Sequence, residues 1–177
     1  MTYQLIHGAE CHIPNLYKWD RTEKDRELYT CRPLHNLLPF DEYKQNHINA
    51  ISRGIKEVFV LIEDGDSTTP LGKVTLFDYN PRNHSKEVGY YIPPSFRGKG
   101  LGFMMLSFLL TMALSKEGEL NKIYVTTSSD NIQSMGLLEK AGFRLDGRLR
   151  EHYWVNNKKF DQLHYSILQR ELSNQPG

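Results

Sequence analysis

The run Ile92-Pro93-Pro94-Ser95-Phe96-Arg97-Gly98-Lys99-Gly100-Leu101-Gly102 constrains this chain more than any other stretch. It stands between an apolar, strand-like segment, Val88 to Ile92, and an apolar helical run from Phe103 to Leu114. Glycines at alternate positions, with Arg97 and Lys99 among them, therefore open a helix directly after a strand. Glycine lacks a Cβ and accepts positive φ, so backbone amides and a helix N-terminus can converge on an anion at close range. The run predicts a phosphate-bearing ligand; a glycine-rich turn without one is the structural alternative.

Spacing narrows the ligand. A nucleotide P-loop needs G-x-x-x-x-G-K-[ST], and no Gly-Lys-Ser or Gly-Lys-Thr occurs in the chain. A dinucleotide fingerprint needs G-x-G-x-x-G, but here the third glycine falls at 102 and Phe103 takes the required place. No β-α-β-α repeat surrounds the motif either. What remains is R-G-x-G-x-G after a strand that ends in proline.

Length and charge exclude several classes. A chain of 177 residues is long enough for a full hydrophobic core in one domain, residues 1–177. Its 22 basic and 21 acidic residues leave a formal charge of +1, so no global field recruits nucleic acid or a membrane. Anion attraction must be local. Cys11 and Cys31 have no metal spacing around them and read as a reduced pair, with a disulfide as the alternative. The seven histidines are scattered, which gives no metal site. No signal-like start is present, and Phe103 to Leu114 is shorter than the roughly 20 residues that span a bilayer. A soluble, cytoplasmic protein is expected.

Periodicity and turn residues predict strands at 3–8, Ile55 to Glu63, Leu71 to Tyr79, Lys86 to Ile92 and Ile123 to Thr127. Two long strands follow, Phe143 to Trp154 and Phe160 to Gln169, with a hairpin turn at Val155-Asn156-Asn157-Lys158. Helices are expected over Pro14 to Arg21, Asp41 to Arg53, about Gly100 to Lys116, and Asn131 to Ala141, the last stopped by Gly142. Thr22 to Pro39 reads mainly as loop. The fold class is mixed α/β with a largely antiparallel sheet.

The order strand, R-G-x-G-x-G, helix, strand, then Asn131-Ile132-Gln133-Ser134 and Leu137-Leu138-Glu139-Lys140-Ala141-Gly142-Phe143, resembles the core of the GCN5-related N-acetyltransferases, the GNAT superfamily. The likeness covers about residues 55–170, and the tail Gly147-Arg148-Leu149-Arg150-Glu151, Asp161 and Tyr165-Ser166-Ile167-Leu168 resembles the ribosomal-protein N-terminal (RimJ/RimL-type) branch. It implies a GNAT fold, with a mostly antiparallel sheet of six to seven strands flanked by helices, and acetyl-CoA as co-substrate. By the same likeness, the backbone of Tyr90, Tyr91 and Ile92 pairs with the pantetheine arm. Gly98, Lys99, Gly100, Leu101, Gly102 and Phe103 cradle the pyrophosphate, with Arg97 and Lys99 adding charge. Asn131 contacts the cofactor arm; helix capping explains an asparagine there equally well.

Two positions depart from the superfamily pattern. The tyrosine seven residues after the motif asparagine is Leu138, and the carboxylate five residues before it is Thr126. By its match to the serine of N-x-x-S in the branch it resembles, Ser134, on the same helix face as Asn131, is the candidate to meet the departing thiolate; a plain helix serine is the alternative. Glu87 shares a strand face with Gly89 and Tyr91 and is the candidate base, acting through a water; a surface strand-end glutamate is the alternative. Glu151 and Tyr153 are weaker candidates. Trp19, Tyr17 and Phe40 pack the N-terminal region or line the acceptor groove.

The resemblance implies acetyl transfer to a primary amine, first of all a protein N-terminal α-amine such as that of a ribosomal protein. A small amine (polyamine, amino acid or antibiotic) is the alternative acceptor, and a silent CoA-binding sensor is the alternative outside enzymes. A homodimer is implied by the branch.

Overall fold

The computed structural model describes residues 2–24, 26–30, 37–115 and 119–172. Among them, seven strands form one sheet in the order β1-β2-β3-β4-β5-β7-β6. The strands are β1 (Tyr3–His7), β2 (Lys56–Glu63), β3 (Gly72–Asn80), β4 (Ser85–Tyr91), β5 (Lys122–Ser128), β6 (Arg144–Val155) and β7 (Lys158–Leu168). Every neighbouring pair is antiparallel except β4 and β5, which run parallel. A parallel neighbour needs a crossover, and α4 (Leu101–Leu114) provides it.

The sheet is covered on both faces. Phe59 and Leu61 of β2 join the main core with α4, whereas Val58, Val60 and Ile62 pack on Leu16 and Trp19 of α1 (Ile13–Thr22). Burial on both sides is why β2 is apolar without alternation. Leu101, Met105, Leu106, Leu109, Leu110 and Leu114 form the buried face of α4. Their spacing follows the helical repeat, and each full burial contributes about 1.5–3 kcal/mol. The helix α5 (Ile132–Lys140) starts at Asn131, whose side-chain oxygen accepts the Ser134 N–H at 3.3 Å. It stops ahead of Gly142, at φ +87°, the left-handed conformation that glycine supplies at a helix end.

The N-terminal region differs most from the sequence reading. Within the stretch expected as loop, Arg26–Tyr29 forms the short helix α2. Four residues carry no readable periodicity, so tertiary contact decides their state. The chain after β7 also turns into a short helix, α6 (Gln169–Leu172), where strand was expected through Gln169. The β6–β7 turn falls at Val155–Lys158 as expected: those two residues pair, and Asn156 and Asn157, at φ +50° and +60°, are its central positions. Trp19 is a core residue beside the Tyr91 ring at 5.6 Å, and Tyr17 packs edge-on to Phe40 at 5.1 Å on α3 (Phe40–Ser52). Cys11 is exposed; Cys31 lies outside the described residues, and so does the question of their pairing. No helix among the described residues is long and apolar enough to cross a membrane.

Candidate active site

The parallel ladder between β4 and β5 is short. Ser85, Lys86 and Glu87 pair with Lys122, Ile123 and Tyr124, and there the pairing ends. Beyond it β4 stays with β3 as far as Tyr91, while β5 follows β7 as far as Ser128. The sheet therefore splits into a V, and the β4 edge from Val88 to Tyr91 faces the gap. Alternate amides and carbonyls of a strand point to each side, so this edge offers a row of hydrogen-bonding groups to an extended ligand.

The V opens onto the N-terminus of α4. Gly100 caps that helix at φ +77°, and Gly98 sits at φ +76°. Both need the left-handed conformation, and space is open where a Cβ would project from either. The Met104 N–H already bonds the Gly100 carbonyl. The amides of Leu101, Gly102 and Phe103, in the first turn, have no intrahelical acceptor and carry the positive end of the helix dipole. Gly102 serves another purpose: a Cβ there would meet Leu137 Cδ2 at 3.0 Å, so its smallness lets α5 approach α4.

A cleft of about 380 Å³ joins these parts, within the range of small-molecule sites. Its lining includes Glu87, Tyr90, Tyr91, Ile92, Arg97, Gly98, Gly100, Leu101, Gly102, Phe103, Asn131 and Ser134. The sequence-derived candidates thus come together, except for Lys99, Glu151 and Tyr153. Lys99 is exposed, rests its ammonium 5.5 Å above the Phe96 ring and is not part of the lining. Arg97 lines the cleft but spends its charge elsewhere: Nη2 donates to Glu23 at 2.5 Å and Nε to the Ile92 carbonyl at 2.9 Å. Glu151 sits on the exposed part of β6 at φ +52°, where it pairs with Lys159, and neither it nor Tyr153 reaches the lining. Leu138 is fully buried in the core, and Thr126 lines the cleft.

Glu87 is buried, only 7% exposed, and accepts from Thr126 Oγ1 at 2.8 Å. It therefore faces the cleft and is no surface residue. Asn131 donates to Thr127 Oγ1 at 3.1 Å and caps α5 with its oxygen, so both ends of its amide have partners in the fold.

Three features escaped the sequence reading. Lys140, at the end of α5, lines the cleft with its ammonium 4.9 Å over the Phe103 ring, a cation beside the helix N-terminus. Tyr29, on the unexpected α2, also lines the cleft. The Tyr90 hydroxyl lies 2.6 Å from Ser134 Oγ, and burial pushes its phenol up to about 12. Strand alternation was the available signal for Tyr90, since Glu87, Gly89 and Tyr91 on one face put Val88 and Tyr90 on the other.

An open strand edge leading into an amide-lined helix end suits an extended thioester carrier with a diphosphate, the substrate of acyl-CoA-dependent acetyltransferases. Residues 9–144, well over half of the chain, match the acetyltransferase (GNAT) domain family, and the chain belongs to it. Members take their acetyl group from acetyl-CoA and pass it to an amine. A Bacillus subtilis protein named "Putative ribosomal N-acetyltransferase YdaF" is 33% identical over 100 residues, 56% of this chain and 54% of that protein, so the match spans about half of the relative. The ribosomal-protein-serine acetyltransferase of Escherichia coli is 25% identical over 87% of this chain and 86% of its own length. The spermidine N(1)-acetyltransferase of Vibrio cholerae is 28% identical over 76% of each. Among solved structures, a Vibrio cholerae spermidine N-acetyltransferase in complex with CoA and spermine superposes with a TM-score of 0.84 at 22% identity, over 97% of this chain and 98% of that one. At that identity the superposition speaks for the fold.

Proposed function

We propose that residues 1–177 act as one acetyltransferase domain, with its acyl-CoA core at about 55–170, that acetylates a protein N-terminal α-amine. A ribosomal protein is the first acceptor to test. The observation that carries this reading is the charge of the cleft: among its described lining residues Glu87 is the one carboxylate, set against the Lys140 ammonium, while Arg97 is matched by Glu23. A polyamine brings several ammonium groups and would find a single carboxylate among those residues. An α-amine brings one charge. Its reference pKa is about 7.7–8.0 against about 10.4 for a lysine-type amine, so near neutrality roughly a tenth of it is already free base. One modest base then suffices.

The residues divide the work. The β4 edge at Tyr90, Tyr91 and Ile92 aligns the pantetheine arm, and the amides from Gly98 to Phe103 receive the diphosphate. Lys140 and Lys99 supply positive charge there, because Glu23 already matches Arg97. Backbone amides near Tyr91 and Ile92 meet the oxyanion. Glu87, held by Thr126, accepts the amine proton through a water, and Ser134 meets the departing sulfur. Holding amine and thioester together provides much of the acceleration. Two cysteines without metal spacing fit a cytoplasmic setting, and a homodimer fits the branch the sequence resembles.

A small-amine acceptor is the second reading, favoured by the spermidine acetyltransferases among the relatives and by Asp78 and Asp146 in a groove beside the cleft. Asp146 is already paired with Lys122, and Asp78 accepts from Tyr124. Thiol release from acetyl-CoA distinguishes the readings. Turnover on peptides with a free N-terminus, abolished when that terminus is blocked, is expected. Faster turnover on spermidine selects the second reading. CoA binding without turnover on any amine leaves a sensor.

A further inference from the structure

The contact between Tyr90 and Ser134 spans the V, from β4 to the first turn of α5, and both residues line the cleft. The fold does not need it as a cap, because Asn131 already takes the Ser134 N–H. A phenylalanine ring would fill the same space between strand and helix. The hydroxyl therefore has a use beyond packing. A phenol is a stronger donor than an alkanol, and 2.6 Å is a short O–H···O separation. The natural arrangement has Tyr90 donating and Ser134 Oγ accepting, which turns the serine's own proton away from the tyrosine.

We propose that Tyr90 is a positioning residue for acetyl transfer: its hydroxyl orients Ser134 so that the Ser134 O–H donates to the departing sulfur. This rests on reading the cleft as the acetyl-CoA site. In the transfer, the amine nitrogen bonds the acetyl carbon and the C–S bond breaks with its electron pair going to sulfur. The surplus amine proton leaves by way of Glu87 and water. The sulfur departs as a thiolate held by Ser134 and takes its proton from solvent afterwards. The relay donates hydrogen bonds and transfers no proton. Burial holds the phenol at about 12, while an alkyl thiol ionises near 8.5, so moving the phenol proton to sulfur would be uphill by roughly three orders of magnitude. Donating in a chain, each hydroxyl polarises the next and strengthens the bond to the nascent anion.

Kinetics and a spectroscopic titration test this on the full chain. Tyr90→Phe keeps the ring and is expected to lower kcat about tenfold, with KM for acetyl-CoA changed by less than about twofold. Ser134→Ala is expected to lose at least as much. The double variant should be no slower than Ser134→Ala, since a residue that acts through another adds nothing once that other is gone. Wild-type kcat in Tyr90→Phe overturns the proposal, and so does a double variant slower by the product of the two single losses. A second readout needs no turnover: the ultraviolet thiolate absorbance of bound CoA against pH. The bound thiol of the wild type should ionise below free CoA, and in Tyr90→Phe it should return toward the free value. A wild-type thiol that titrates like free CoA overturns the proposal, whatever becomes of the variants. Failure of CoA to bind at all, read by calorimetry, overturns the acetyl-CoA reading itself.

Discussion

Gly98, Gly100 and Gly102 look alike in the sequence and serve two different ends. The first two hold positive φ beside open space, whereas the third makes room for Leu137. Substitutions should separate them. Gly100→Ala forces an L-residue into the left-handed region without a clash, and an unfolding curve should read a loss of about 1–2 kcal/mol. Gly100→Glu adds bulk and negative charge where the proposed function puts the diphosphate. Calorimetry should read CoA affinity at least about tenfold below that of Gly100→Ala; equal affinities would remove the loop from the site. Gly102→Val should destabilise the fold by about 1–3 kcal/mol through overpacking against Leu137, a loss that Leu137→Ala in the same chain should partly relieve. The motif was legible because only glycine satisfies these conditions. Which condition each glycine meets was not, because a steric neighbour 35 residues away leaves no mark on local sequence.

At the scale of elements, the split between β4 and β5 creates the site. Each strand could be read from its own apolar pattern, and the face assignment of Glu87 followed from alternation. The end of their pairing at Glu87 and Tyr124 could not, since it depends on β5 following β7 away from β4. The turn that closes the V is tied to the N-terminal layer by Arg97 and Glu23, whose carboxylate is 5% exposed. Sequence reasoning gave Arg97 to the diphosphate because its partner lies 74 residues earlier, past the C-terminus of α1. Glu23→Gln keeps the shape and leaves the guanidinium uncompensated. It should cost about 1–3 kcal/mol in denaturant unfolding. A cost near zero would mean that the pair does not hold the turn in solution.

Across the whole molecule, the layer of α1 and α3 on β2 and β3 carries a buried polar cluster that sets the acid response. Asp20 receives Lys73 Nζ at 2.8 Å and the Tyr43 hydroxyl at 2.9 Å. Burial works to raise its carboxyl, but Lys73 and Tyr43 together hold it below the usual range. His47 is pushed down to about 4, first by burial and then by the charge of Lys56. The folded state thus keeps His47 neutral, while the unfolded chain protonates it near 6.5. Stability from this group is full above about 6.5 and is lost as pH falls toward about 4, and the Asp20 contribution fades at still lower pH. Melting temperature should accordingly fall between pH 7 and 4, with a shallower slope in His47→Gln; parallel slopes would remove His47 from the response. None of this cluster announced itself in the chain, because its members come from α1, α3, β2 and β3 and meet only on folding. The family, the order of the core elements and the glycine-rich helix start could be read from the chain alone, since each rests on residues close together in it. Which groups line the cleft was settled only on folding: the Glu87 carboxylate, the Lys140 ammonium and the Tyr90–Ser134 contact. Those depend on separations of a few ångströms between residues tens of positions apart, which local propensity does not encode.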